Sequence, residues 1–91
     1  MAALYHSRPN PFRESTLITF DVPREKYVRL EVYDVRGRSV GLLVDKVLPA
    51  VRYSVPWLGR SDSRPRLGSG IYFTVIKIRG YSATRKVVLL Q

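Results

Sequence analysis

Acid–base chemistry in this chain would have to rest on its seven carboxylates, Glu14, Asp21, Glu25, Glu31, Asp34, Asp45 and Asp62. They stand singly and mostly flank strand-like segments, and no two have the local spacing of a general acid and its partner base. His6 is the only histidine and lies near the start of the chain, while cysteine is absent. That composition removes thiol catalysis, zinc–thiolate clusters and disulfide staples together. No Asp-rich calcium loop, phosphate-cradling glycine run or nucleophile elbow occurs. The expectation is a protein that is not an enzyme, with no metal site and no cofactor.

Charge raises a different possibility. Sixteen Lys and Arg against seven Asp and Glu leave a net charge of +9. Arg60, Arg64 and Arg66 fall in one loop-like stretch and Arg36 and Arg38 in another, an arrangement able to meet phosphates. The remaining basic residues alternate outward along strands, where a charged face resists edge-to-edge aggregation. Nucleic acid is therefore not the expected partner. No apolar run reaches 18 residues and the N-terminus has no charged n-region followed by an apolar stretch, so neither a membrane span nor a signal peptide is expected.

The elements that must position any site are strands. With 91 residues, 45% of them hydrophobic, the chain suits one small domain with one core. Residues 15–22 alternate Thr16, Ile18, Phe20 and Val22 against Leu17, Thr19 and Asp21, and Pro23 closes the run. Residues 27–35 place Val28, Leu30 and Val32 on one face and Arg29 and Glu31 on the other. Asp34 to Arg38 reads as a tight reversal, with Gly37 free to take positive φ. A strand over 39–45 follows, with Val40, Leu42 and Val44 in phase, then a connection over 46–50. Residues 51–57 alternate Val51, Tyr53, Val55 and Trp57, and Pro56 marks an edge because it cannot donate to a ladder. Leu58 to Ser69 is the longest loop. Strands over 70–79 and 82–90 flank a turn at Gly80-Tyr81, and the first of them is apolar on both faces.

No helical period of useful length occurs. The pattern predicts an all-β fold, an immunoglobulin-like antiparallel β-sandwich of six to seven strands, or failing that a small barrel. The expected core is Phe20, Val28, Leu30, Val32, Val55, Trp57, Phe73 and Val75, with Trp57 the largest contributor. Residues 1–14, where Pro9 and Pro11 bracket Asn10, read as an extended lead-in from an upstream domain, with the sandwich over 15–91.

Several short motifs then stand in register: Leu4-Tyr5 with Pro9-Asn10-Pro11-Phe12; Thr16, Ile18 and Phe20; Val32-Tyr33-Asp34-Val35 with Gly37-Arg38; Leu43-Val44; Trp57 with Gly59-Arg60; Ser69 to Phe73; and Thr84 to Leu90. In this order the chain resembles the C-terminal sorting domain, type A, of the Bacteroidota type IX secretion system. It is also similar to the immunoglobulin-like domain of the flagellar hook-capping protein. The likeness covers about residues 4–91. Leu58 stands where many members carry Asp, Arg64 where the loop has a glycine, and Ala50-Val51 where Ala-Gly is usual, so those turns are expected to differ.

The sorting-domain resemblance implies an address rather than chemistry: the C-terminal part of a larger secreted protein, read by the outer-membrane secretion machinery after export. It implies passage through the periplasm, then attachment to the cell surface or release, with the upstream cargo domain in the same polypeptide. Recognition would fall on Gly37, Gly70, Tyr72, Lys86, Val87 and Val88, and any cleavage in or before residues 1–14. Termination at Gln91, straight after the last strand, is what such a signal should look like. A strand carrying Lys86 to Leu90 offers a receptor backbone hydrogen bonds and alternate side chains, or it merely completes the sandwich. The alternative is a structural or adhesive immunoglobulin-like module of an extracellular protein, of the hook-cap type.

Overall fold

The computed structural model describes residues 1–62 and 66–91. Arg64 and the turn expected around it lie outside the described residues. The chain forms β1 (Ala3–Leu4), β2 (Thr16–Val22), β3 (Lys26–Tyr33), β4 (Ser39–Leu48), β5 (Val51–Trp57), β6 (Gly70–Ile78) and β7 (Tyr81–Leu89). They make two antiparallel sheets, one ordered β1-β2-β5 and the other β4-β3-β6-β7. The architecture is the expected β-sandwich, compatible with an immunoglobulin-like fold. Among the described residues β5 pairs only with β2, which places Pro56 on an edge strand.

Where one face of a strand is polar, the core follows from alternation. Ile18, Phe20 and Val22 of β2 and Val28, Leu30 and Val32 of β3 are all buried and face one another across the sandwich interior. Trp57 closes one end of that interior, its indole N–H donating to the Arg60 carbonyl at 3.1 Å. Val55 is only half-buried and packs on the core from the edge strand.

Two expectations are corrected. In β6 the buried row is Tyr72, Thr74, Ile76 and Ile78, so Phe73 and Val75 stand half-buried on the outer face. Both faces of this strand are apolar, and periodicity alone cannot choose between them. The phase is set by the fit of the Tyr72 ring against Trp57, with centroids 5.5 Å apart, and by the buried Thr74 hydroxyl donating to the Arg85 carbonyl. In β4 the strand continues to Leu48 instead of stopping at Asp45, and its alternation is broken. Register against β3 slips twice, so that Leu30 faces Val44, Glu31 faces Leu42, Val32 faces Gly41 and Tyr33 faces Ser39. Leu43 and Val40 are the extra residues of two bulges. Leu42 is turned outward as a result, while Leu43 and Val40 pack against the core.

Residues 1–14, expected as a lead-in, are built into the sandwich. Ala3 and Leu4 pair with Asp21 and Phe20 on the edge of β2, and Arg8 bridges Leu17. Leu4, Ser7 and Phe12 are buried. The peptide bonds preceding Pro9 and Pro11 are cis. Phe12 crosses to the other sheet and bridges Leu89 in parallel, its ring 5.5 Å from Trp57.

On the outer face of the three-stranded sheet Arg52 grips Asp21, Nε to Oδ1 at 2.7 Å and Nη2 to Oδ2 at 3.2 Å. The Tyr5 hydroxyl donates to the same carboxylate, and the guanidinium lies 4.8 Å above the Tyr5 ring. The Arg52 hydrogen bonds, followed by that of Tyr5, lower the Asp21 pKa to about 2. A carboxyl whose folded pKa is depressed contributes stability that is complete above its ordinary value and is lost as pH falls through the folded one.

Two measurements follow. Phe12→Ala should cost about 3–5 kcal/mol in urea unfolding, the usual range for a buried phenylalanine; a cost below about 1 kcal/mol would show that the N-terminal segment is not part of the folded unit. The carboxyl of Asp21, followed by NMR, should titrate near pH 2. In Arg52→Ala the midpoint should move up toward the ordinary aspartate value, and stability should fall less between pH 4 and pH 2 than in the parent. A parent midpoint at the ordinary value would remove the clamp.

Candidate functional site

The residues expected to carry recognition converge on one end of the sandwich, the end closed by Trp57. Gly37 occupies the β3–β4 hairpin at φ 80°, a left-handed conformation that an L side chain adopts only with strain. Asp34 organises that hairpin. Its Oδ1 accepts the backbone N–H groups of Arg36 and Arg38 at 2.9 and 3.0 Å, and its Oδ2 accepts Arg38 Nε at 2.9 Å. The Arg38 amide, helped by its guanidinium and the Arg36 amide, holds the Asp34 carboxyl below its usual value against a smaller opposing effect of burial. Asp34 thus acts as a turn anchor.

Gly70 opens β6 opposite Leu89 in extended backbone, φ 159°, with open space where a Cβ would stand. Of the positions at which this chain departs from the pattern it resembles, Leu58, Ala50 and Val51 carry no left-handed strain: no described residue other than glycine takes positive φ.

Tyr72 and Val87 face inward. Tyr72 packs edge-on to Trp57 and donates its hydroxyl to the Gly68 carbonyl at 2.8 Å, and burial raises its pKa. Val87 is fully buried. Lys86 and Val88 point the other way, onto the outer face of the four-stranded sheet. There Lys86 faces Phe73, which faces Tyr33, which faces Ser39 in one cross-strand row. Val88 faces Ile71 in the next row. Phe73, Val75, Ile71 and Val88 form an apolar strip with the Lys86 ammonium at its margin. The chemistry this surface supports is contact with another protein: apolar area to cover, and one flexible cation to orient the partner.

Glu31 sits in the middle of the same outer face and is nevertheless 7% exposed. Burial would raise its pKa, but the Ser39 hydroxyl at 2.8 Å, Arg29 Nε at 2.9 Å and the Tyr33 hydroxyl at 3.0 Å together hold it below the usual carboxylate value. A charge satisfied in this way cross-links β3 to β4 beside the bulges.

A cleft of about 420 Å³ opens beside the hairpin, lined by Asp34, Arg38, Asp62, Leu67 and Tyr72 among others. Asp62 closes the edge of β4 there, its N–H donating to Val40 O at 3.0 Å and its carboxylate accepting the Leu42 N–H at 3.1 Å. The arginines considered for phosphate contact are partly engaged: Arg38 with Asp34, and Arg66 with the backbone carbonyls of Leu58 and Arg13.

Two residues of this end escape a sequence reading that treats 1–14 as lead-in: Asn10 and Phe12. Asn10 Nδ2 donates to Lys86 O at 3.0 Å and its Oδ1 accepts the Val88 N–H at 2.9 Å. Phe12 N donates to Val88 O at 2.9 Å and Phe12 O accepts the Leu90 N–H at 2.8 Å. The signal was present in Pro9-Asn10-Pro11-Phe12, but prolines at both flanks read as loop.

No family model matches the chain, and no curated protein matches its sequence. Solved structures do match its shape. Dimeric latent PorU from Porphyromonas gingivalis is similar over 99% of this chain, with a TM-score of 0.74 and 22% identity. PorZ, an essential bacterial surface component of the type IX secretion system of the same oral bacterium, is similar over 98%, with a TM-score of 0.67 and 17% identity. The alkylpurine DNA glycosylase AlkC of Pseudomonas fluorescens, bound to DNA containing an abasic site analogue, is similar over 99%, with a TM-score of 0.60 and 13% identity. The chain spans only 9%, 12% and 30% of those proteins' lengths. It shares with each of them the fold of one small sandwich within a longer polypeptide.

Proposed function

We propose that this sandwich is a non-catalytic sorting module of a larger exported protein, read by type IX secretion machinery in the outer membrane and delivered to the cell surface or the medium. The observation that carries this reading is a coincidence of pattern and shape. The motifs that resemble the sorting domain run through almost the whole chain, and the same span matches the fold of a 12% portion of PorZ. The cluster of Gly37, Gly70, Tyr72, Lys86, Val87 and Val88 at one end supports it further. Within that cluster Tyr72 and Val87 shape the end from inside and Gly37 forms an exposed hairpin turn, whereas Lys86 and Val88 present it to a receptor. The described carboxylates that meet arginine, Asp21, Glu31, Asp34 and Asp45, serve as structural ties.

The test is a reporter: residues 1–91 behind a signal peptide and a fluorescent protein, in a host with an active type IX system and in a matched strain lacking it. Fluorescence should reach the surface or medium only in the competent host; equal retention in both would sink the proposal. Deleting the last strand would be uninformative, because Val87 and Leu89 belong to the core. Lys86→Ala is the cleaner change. Lys86 is exposed, so stability should move by less than about 0.5 kcal/mol, while delivery should fall by about fivefold or more, on the order of 1 kcal/mol of receptor contact. Unchanged delivery would remove Lys86 from the recognised surface.

A further inference from the structure

The chain closes most of its sheet edges with its own groups. Asn10 and Phe12 meet the edge of β7, the Tyr81 hydroxyl and Arg85 Nε meet the N–H and carbonyl of Leu4 in β1, and Asp62 caps β4 at Val40 and Leu42. β5 is different. Arg8 and Leu17 exchange both backbone hydrogen bonds, at 3.1 and 2.8 Å, so Leu17 turns its N–H and carbonyl toward the N-terminal segment and away from Pro56, its register partner in β5. Along an antiparallel ladder this direction alternates residue by residue. Val51, Tyr53, Val55 and Trp57 therefore bond β2, whereas Arg52, Ser54 and Pro56 aim their backbone groups outward. Among the described residues nothing meets those groups. Arg52 and Ser54 each offer an N–H and a carbonyl, and Pro56 offers a carbonyl alone. Because β1 lies against β7, β4 and β5 share the opposite flank, and that flank is apolar: Val40, Leu43, Tyr53 and Val55 are half-buried and pack on the core from it.

We infer that the outer edge of β5 is a strand-addition site for an extended acidic segment of a partner protein, running antiparallel and pairing with Arg52, Ser54 and Pro56. Nothing in this chain has to move, because these three residues are exposed and their outward backbone groups are unoccupied. The ladder fixes the partner's pattern. Residues opposite Arg52, Ser54 and Pro56 put their side chains on the outer face, where the Asp21 and Tyr5 contacts of Arg52 leave its Nη1 without a partner among the described residues. The residues between them turn inward onto Tyr53, Val55 and Leu43, so an alternation of acidic and apolar residues suits both faces. Charge selects against a second copy. The chain carries +9, and Asp21, Glu31, Asp34 and Asp45 are already engaged by arginines, so two copies repel while an acidic strand is drawn in. Pro56 is a further guard, since its missing N–H leaves a carbonyl of any strand laid there unpaired. The site lies on the flank opposite β7 and does not depend on the sorting function proposed above.

The test uses the full chain and the synthetic peptide Thr-Val-Glu-Val-Glu-Val-Thr, blocked at both ends. In the chain alone the amides of Arg52 and Ser54 should exchange with solvent about a hundredfold faster than those of Tyr53 and Val55. The peptide should slow them and shift the NMR signals of Val51–Trp57, Val40 and Leu43. Methyl groups on both glutamate nitrogens, which face β5 in an antiparallel ladder, should weaken binding about tenfold or more; methyl groups on the valine nitrogens, which face away, should change it by less than about twofold. Lysine in place of both glutamates should also weaken it about tenfold. Pro56→Thr restores an edge N–H and should tighten binding about fivefold, in keeping with one added hydrogen bond. Protected Arg52 and Ser54 amides in the free chain, equal effects of the two methylations, indifference to glutamate charge, no gain from Pro56→Thr, or no binding would each overturn the proposal. So would a concentration-dependent dimer protected at Ser54, which would make a second copy the occupant.

Discussion

The Trp57 indole lies between two other rings, 5.5 Å from Phe12 on one side and 5.5 Å from Tyr72 on the other. Those residues come from β5, from the N-terminal segment and from β6, so one contact ties both sheets and the chain's beginning together. Rings at this spacing bury large areas and also constrain one another's orientation. The consequences run outward from there. Tyr72 turned inward fixes the phase of β6 and sends Phe73 and Val75 to the outer face; Phe12 turned inward draws residues 10–12 along β7; and at Gly59 a left-handed φ of 68° and the Leu89 methyls, 3.0 Å from where a Cβ would stand, both favour glycine.

The outer face of the four-stranded sheet combines features that usually exclude one another. It carries an apolar strip, and it carries Glu31, a nearly buried carboxylate. The carboxylate is tolerated because three donors satisfy it, one of them Ser39 on the neighbouring strand. The bulges in β4 bring Ser39 opposite Tyr33 and within reach. An irregular strand and a buried charge are therefore one arrangement, and the apolar strip lies beside it on the same face.

What could be read from sequence divides along a physical line. β2 and β3 were legible because each has one polar and one apolar face, so alternation assigns their inward rows without reference to anything else. β6 was legible as a strand but not in phase, since Tyr72-Phe73-Thr74-Val75-Ile76 is apolar both ways and the choice belongs to Trp57 across the core. β4 was misread because a bulge shifts every residue beyond it to the other face. Gly37 and Trp57 declared their roles through residue type. Asn10 could not: an amide side chain standing in for a peptide group is recognisable only once its partner strand is in place.

The threading of the first dozen residues also gives the domain a mechanical polarity. They pair first at Ala3–Leu4 with the far end of β2, then at Arg8 with Leu17, and last at Phe12 with β7. A pull on the N-terminus is borne by these attachments one after another, as in a zipper, and each alone is held by few bonds of modest strength. The aromatic anchor at Phe12 is the final attachment to feel the load. Traction from that side would strip the edge of the smaller sheet before it uncovered the last strand, so a preceding polypeptide under tension would act as a graded lever on the domain's opposite terminus.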